Sequence, residues 1–328
     1  MRRLLLPVLL VALVAGCGPA PAPRFVAPSA TAPAGPATAP AGPAAASPGP
    51  AASAPVAGRA PGAPFAVGMR SVRLSNGATR PLPTTVYYPA TGSTPAGTAR
   101  TGAPVAAGRF PVIVFSHGLS GVPAVYAGLL TRWAAAGFVV AAPAYPHTSF
   151  GVVKFDILDV VNQPADASAV LTGVLGLPSS DTLSGHLDGS RVAAAGHSAG
   201  GITTVGLFTA HRDARLRAGI VLAGNGLGMG DVYSGQSASL FFVHGRKDPT
   251  VSYASGRAAY EHVPWAKAML TLPNDGHTDP YLRTGAASFA VVAAATTDFL
   301  RFTLYGDPAA RARIRADAGA VGSVEDRL

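Results

Sequence analysis

Val192-Ala193-Ala194-Ala195-Gly196-His197-Ser198-Ala199-Gly200-Gly201 decides how this chain is read. Val192 to Ala195 is a short apolar run, as expected of a strand buried on both faces. A helix is expected from Ala199 to about Ala210. Between them lies Gly196-His197-Ser198-Ala199-Gly200, a G-x-S-x-G pattern in the strand-to-helix setting that a nucleophile elbow requires. The requirement is steric: the turn is so sharp that side chains two positions either side of the serine would collide, so glycine stands at both. The serine hydroxyl is then presented at the C-terminal end of a sheet and at a helix N-terminus, whose dipole favours an anion. His197 occupies the variable position of the elbow and reads as a packed residue.

Working outward, the same alternation recurs. Val72 to Leu74 and Thr84 to Tyr88 read as early strands of a hairpin-like start. Phe110-Pro111-Val112-Ile113-Val114-Phe115 is a continuous apolar run, followed by a helix over Tyr126 to Ala136 that Gly137 stops. Further strands are expected at Phe138 to Ala142, Ile220 to Ala223, Leu240 to Val243 and Ala268 to Leu272. Helices are expected at Asp159 to Leu175, Tyr253 to His262 and Ala286 to Tyr305. This β-α-β-α rhythm argues for an α/β fold, with a mostly parallel central sheet and helices on both faces. Residues 307–328, rich in charge and poor in large apolar groups, read as a flexible C-terminal tail.

A serine is a poor nucleophile at neutral pH and needs a base, which in turn needs an orienting acid. After a nucleophile elbow the chain order is serine, acid, histidine. Asp248 ends His244-Gly245-Arg246-Lys247-Asp248, just after the strand Leu240 to Val243, and His277 lies in Asp275-Gly276-His277-Thr278 after the next strand. These two are the expected acid and base. The rival acids are Asp231 and Asp275, and the rival histidines are His262 and His147. His244 lies on a strand and reads as a core histidine or a neighbour of the site. A tetrahedral oxyanion needs two backbone N–H donors. Ala199, next to the serine, supplies one, and Ser116-His117-Gly118-Leu119 after the buried strand nominates Leu119 for the other.

Tyr145, Tyr126 and Trp265 are candidates for an apolar substrate wall, with ordinary core packing the alternative for each. The connection across Gly224 to Ser239 is short and rich in glycine, leaving no room for a large cap domain. No cluster of metal-ligating residues and no phosphate-binding glycine loop is present, so no metal or cofactor is expected. None of the three lysines completes a Ser-x-x-Lys motif.

Arg2 and Arg3 precede the apolar stretch Leu4 to Ala15, which fits a signal-peptide core and is too short to span a bilayer. Leu13-Val14-Ala15-Gly16-Cys17 then resembles a bacterial lipobox. The reading is a signal peptide over 1–16 and a lipid anchor at Cys17, which would hold the protein to a membrane rather than across it. Residues 17–64 are dense in Pro and Ala, hold no acidic residue and read as a disordered tether. The catalytic domain is expected over 65–306, outside the cytoplasm.

The 328 residues carry 39 Gly and 30 Pro, only 12% charged residues, a mean hydropathy of +0.31 and a formal charge of +9. The glycine and proline content and the low charge exclude a coiled coil, whose composition is the reverse. The single cysteine excludes a disulfide scaffold. The basic residues are scattered, so a mildly basic surface is preferred to a nucleic-acid footprint.

Together FPVIVFSHGLSG, GFVVAAPAYPHT, LDGSRVAAAGHSAGG and FFVHGRKDPT make residues 65 to about 305 resemble an α/β-hydrolase. The resemblance is to the bacterial branch near dienelactone-hydrolase-like esterases, platelet-activating-factor acetylhydrolases and polyester (cutinase-like) hydrolases. It implies Ser198 as nucleophile, Asp248 as acid, His277 as base, and Leu119 and Ala199 as oxyanion donors. Dienelactone hydrolases carry a cysteine where Ser198 stands, so ordinary ester hydrolysis is the expected reaction. The acetylhydrolases place their acid after an earlier strand, which keeps Asp231 open. The expected activity is a serine carboxylesterase acting on a small or polymeric ester, most simply as a monomer. A peptidase or acyltransferase on the same triad, or a non-catalytic solute-binding lipoprotein, are the alternatives.

Overall fold

The runs without polar interruption become the interior strands. The structure, a computed structural model, describes residues 59–328. The signal peptide expected over 1–16, the lipid anchor expected at Cys17 and the expected tether as far as residue 58 lie outside the described residues. β1 (Ala66–Ser75) and β2 (Pro81–Ala90) form an antiparallel hairpin, with the short β3 (Arg100–Thr101) paired to β1 at the sheet edge. β4 (Phe110–Ser116) is buried at every position. α1 (Ala127–Ala135) leads to β5 (Val139–Pro143), and α2 (Gln163–Leu175) to β6 (Leu187–His197). α3 (Ala199–Gly206) connects to β7 (Leu216–Leu222), then β8 (Ser239–Gly245). After these come α4 (Tyr253–His262), β9 (Lys267–Leu272), the short α5 (Asp279–Leu282) and α6 (Ala287–Tyr305).

The sheet order is β10-β9-β8-β7-β6-β4-β5-β2-β1-β3. β5 to β9 are mutually parallel with β4 among them, and β2 lies antiparallel against β5. Period-2 alternation splits each interior strand between two cores. Ile113 and Phe115 pack with α1 and α6 through Trp133, Phe289 and Phe299. Val112 and Val114 pack with α2, α3 and α4 through Val170, Ile202 and Tyr260. Helices therefore cover both faces, and the fold is that of an α/β hydrolase. Residues 223–238, between β7 and β8, hold no helix or strand, so no cap is built there. The chain runs from β4 to β5 on one side and returns to β6 on the other, which opens a crevice at the C-terminal ends of β4 and β6. In open parallel sheets such a switch point is where ligands bind.

α6 is long and apolar enough to cross a bilayer by length and composition, but in this fold it packs against the sheet. The helix expected from Asp159 begins as a 3₁₀ turn (Ile157–Asn162), and the α-helix starts at Gln163 with proline in its first turn.

The flexible tail expected over 307–328 is instead α7 (Pro308–Ala318) and β10 (Ser323–Arg327), which pairs antiparallel with β9. Gly306 closes α6 in the left-handed conformation, and the Asp307 carboxylate caps α7 through the Ala309 and Ala310 N–H groups. α7 buries only Ala310, Ile314 and Ala318, one helical stripe, so few large apolar residues are needed. The charges that read as disorder are shared between α7 outside that stripe and the edge strand β10, where Glu325, Asp326 and Arg327 suit solvent. Glu325 there pairs with Arg257 and Arg327.

One feature of this helix pair is destabilising at neutral pH. Burial, and then the neighbouring Asp298, push the Asp317 carboxyl up to about 6. Arg313 offsets this only in part, being bound to Asp298 at 2.7 Å. One Asp317 oxygen is buried without a partner among the described residues. An unfolded aspartate titrates near ~3.9. A carboxyl raised in the folded state therefore carries no penalty below that pH and the full penalty above its folded value. Asp317→Asn is expected to raise the melting temperature at pH 7.5 and to leave it nearly unchanged at pH 4, as thermal unfolding at the two pH values would show.

Candidate active site

Ser198 sits where β6 gives way to α3, with φ 56° and ψ −119°. A non-glycine residue at positive φ is strained, and such strain concentrates at functional turns. The surrounding packing holds it there. A Cβ on Gly196 would lie 2.1 Å from the Gly200 carbonyl oxygen, and one on Gly200 would lie 1.9 Å from that of Ser116. Both are impossible contacts, so the two glycines allow the elbow to close against β4. Gly201 likewise approaches Gly224 too closely for a side chain.

The Ser198 hydroxyl lies 2.9 Å from His277 Nε2, and His277 Nδ1 lies 2.7 Å from Asp248 Oδ2. His277 comes from the loop after β9 and Asp248 from the loop after β8, so the ends of β6, β8 and β9, with β7 between β6 and β8, contribute on that side of the crevice. The other Asp248 oxygen accepts the Thr250 and Val251 N–H groups at 2.8 and 2.9 Å. His244 Nε2 donates to the Val251 carbonyl at 2.9 Å and lies 3.4 Å from Asp248 Oδ2. Burial of Asp248 opposes its ionisation. His244, His277 and the Val251 N–H outweigh it and hold the carboxyl well below the usual carboxylate range. The site therefore keeps a carboxylate against the imidazole Nδ1.

Gly118 brings the loop after β4 against Ser198, since a Cβ there would stand 3.2 Å from Ser198 Cβ. Neither the Leu119 N–H nor the Ala199 N–H donates to a protein acceptor among the described residues. His117 fixes this loop. Its Nδ1 donates to the Gly118 carbonyl at 2.7 Å, while its Nε2 accepts from the Ser149 hydroxyl at 2.9 Å. Burial pushes His117 down to about 4, so it does this as a neutral ring.

The rivals fall elsewhere. The Asp231 side chain is 64% exposed and lies 4.0 Å from His262, itself on the surface at the end of α4. Asp275 accepts the Ser288 hydroxyl of α6 at 2.7 Å. His147 meets the Lys154 carbonyl in an exposed loop. The substrate wall expected of Tyr145, Tyr126 and Trp265 does not form. Tyr145 is fully buried with its hydroxyl 2.7 Å from that of Ser116. Trp265 lies just before β9, at the end of that strand opposite His277, packed against Phe208 and Tyr233.

Tyr126 is buried too, but it joins a chain that sequence reasoning missed. Its hydroxyl accepts the Gly118 N–H at 3.0 Å and donates to His197 Nδ1 at 2.9 Å. His197 Nε2 then donates to the His277 carbonyl at 2.7 Å. Burial, followed by the nearby His277, pushes His197 down to about 3, so the neutral tautomer persists. The variable residue of the elbow thus ties the loop after β4 to the backbone of His277. No spacing signal announces this, because the partners lie eight, 71 and 80 residues apart along the chain.

Residues 74–225 match the family model for chlorophyllase. That stretch contains the elbow and the loop after β4, and ends before Asp248 and His277. No curated protein matches the chain at a significant level. The fold and the family match make the chain a carboxylic ester hydrolase.

Proposed function

We propose that this esterase works through an acyl-enzyme on Ser198. As the Ser198 oxygen attacks the ester carbonyl, His277 Nε2 takes its proton, and Asp248 holds the Nδ1 proton and stabilises the imidazolium. The Leu119 and Ala199 N–H groups bind the developing oxyanion, each lowering the barrier by roughly 3 kcal/mol. The alkoxide leaves with the proton from His277, and water activated by the same nitrogen releases the acid. The observation that carries this reading is the unbroken path from Ser198 through His277 to Asp248 at 2.9 and 2.7 Å. His197 and Tyr126 act as positioning residues for His277 and the oxyanion loop.

The substrate is read as the carboxylic ester of a large apolar molecule of the chlorophyll kind, which the matched family and the uncapped crevice support. The lipobox-like Leu13-Val14-Ala15-Gly16-Cys17 supports an extracytoplasmic enzyme anchored at Cys17, with residues 17–64 as its tether. A panel of chlorophyll, p-nitrophenyl esters of increasing chain length and a polyester film tests the substrate. Chlorophyll and the long-chain esters are expected to be cleaved with higher kcat/KM than the acetate. A preference for the acetate would overturn the large-substrate reading.

A further inference from the structure

Among the described residues, every fully or largely exposed Leu, Val, Ile and Phe lies on the loops following β4, β5 and β7. Val153 is fully exposed, and Phe150, Leu158, Leu227 and Val232 are each about 70% exposed or more. These loops form one arc. It begins beside Ser198, at Leu119 in the loop that touches the nucleophile. The Ser120 N–H donates to the Thr148 carbonyl at 2.8 Å and the Phe150 N–H to the Gly121 carbonyl at 3.1 Å, so the second loop is sewn to the first. At its far end a methyl on Gly228 would touch Val161 at 3.7 Å, joining the third loop. The platform is rigid. Arg80 grips Asp159 with two 2.8 Å bonds and Asp166 at 2.5 Å, clamping the middle loop to β2 and α2.

We infer that this face seats the enzyme on a lipid bilayer, its apolar side chains entering the interface and Ser198 opening onto it. The inference rests on the reading of Ser198 as the reacting residue. Contiguous exposed apolar surface of this kind marks an interaction site. Its position selects the occupant. A folded partner or a second copy on the arc would close the approach to Ser198, whereas a fluid apolar phase covers the arc and itself carries ester to the site. The charges on the arc are mixed, with exposed Lys154 beside Asp156 and Asp231 further round, so apolar insertion rather than attraction to anionic headgroups supplies the binding.

Two measurements on the full-length protein test this. Phosphatidylcholine vesicles are expected to slow amide hydrogen exchange in residues 148–161 and 225–233 and to leave α6 and α7 unchanged. No protection there would overturn the inference whatever the enzyme's activity. The triple variant Val153→Ser, Leu158→Ser, Val232→Ser is then compared with the parent, both carrying the same N-terminus. Its kcat/KM on soluble p-nitrophenyl acetate is expected to stay within two-fold, while hydrolysis of p-nitrophenyl palmitate dissolved in the vesicles falls at least ten-fold. Equal rates on the vesicle ester would overturn the inference. So would a loss confined to phosphatidylglycerol vesicles and relieved by salt, or a parent dimer that the variant makes monomeric. A parent inactive on the acetate would instead count against Ser198 as the reacting residue, with the exchange result still deciding the surface.

Discussion

Ser198→Ala is expected to lower kcat on p-nitrophenyl acetate by about 10⁶-fold with little change in KM. In the proposed mechanism the residue supplies the atom that forms the acyl bond, and no neighbour offers a substitute. The Ser116 hydroxyl at the end of β4 is buried and bonded to Tyr145, and that of Tyr126 is bonded to Gly118 and His197. Residual catalysis over water is expected, because two N–H groups and the crevice remain. The fold should be indifferent. Alanine carries the same Cβ through the strained turn, and the conformation at φ 56° is imposed by Gly196, Gly200 and the Ser198 N–H bond to the Leu222 carbonyl at 2.9 Å. Melting temperature within about two degrees of the parent, together with lost labelling by a fluorophosphonate probe, would separate a chemical defect from a structural one. A variant retaining even a hundredth of the parent kcat would place the nucleophile elsewhere.

The parts of the site that the sequence discloses are those governed by short-range sterics. A turn in which a Cβ on Gly200 would lie 1.9 Å from the Ser116 carbonyl oxygen can be written only with glycine, so the elbow is visible as spacing. The interior strands are visible because β4 is buried on both faces and is apolar at every position before Ser116. Side-chain direction is different. Tyr126 and Tyr145 stand next to loops of the site in sequence, and only the packing of α1 and β5 against β4 turns both inward. His197 is similar: its partners are assembled by the sheet, and nothing local to the elbow specifies them. The C-terminal segment was hidden for a further reason. An edge strand is half solvated, so β10 carries Glu325, Asp326 and Arg327 and lacks the apolar alternation of a covered strand. Its signal lay one step earlier, in Gly306-Asp307-Pro308, a helix stop followed at once by a cap and a first-turn proline.

Asp248→Asn is expected to lower kcat by about 10⁴-fold, a smaller loss than at Ser198. Asparagine is nearly isosteric and keeps an oxygen to accept the Thr250 and Val251 N–H groups. Its amide N–H then faces His277 Nδ1, which favours the tautomer whose proton sits on Nε2, where the base must be free to accept one. The carboxyl of Asp248 is held well below the ordinary range, so it stays ionised throughout neutral and mildly acid solution. Titration of Asp248 itself should therefore add no pH dependence to the parent's kcat between pH 6 and 8. The linkage to stability has the opposite sign from that of Asp317. A carboxyl depressed in the folded state stabilises above its unfolded value of ~3.9 and loses that contribution as pH falls through the folded value. The variant should accordingly melt below the parent at pH 7, with the gap narrowing only in strong acid. Asp231→Asn is the comparison that makes this decisive. Its carboxylate is 64% exposed and 4.0 Å from His262, so its removal should change kcat by less than two-fold. The reverse pattern, a large loss at Asp231 and a small one at Asp248, would move the orienting acid to the loop after β7.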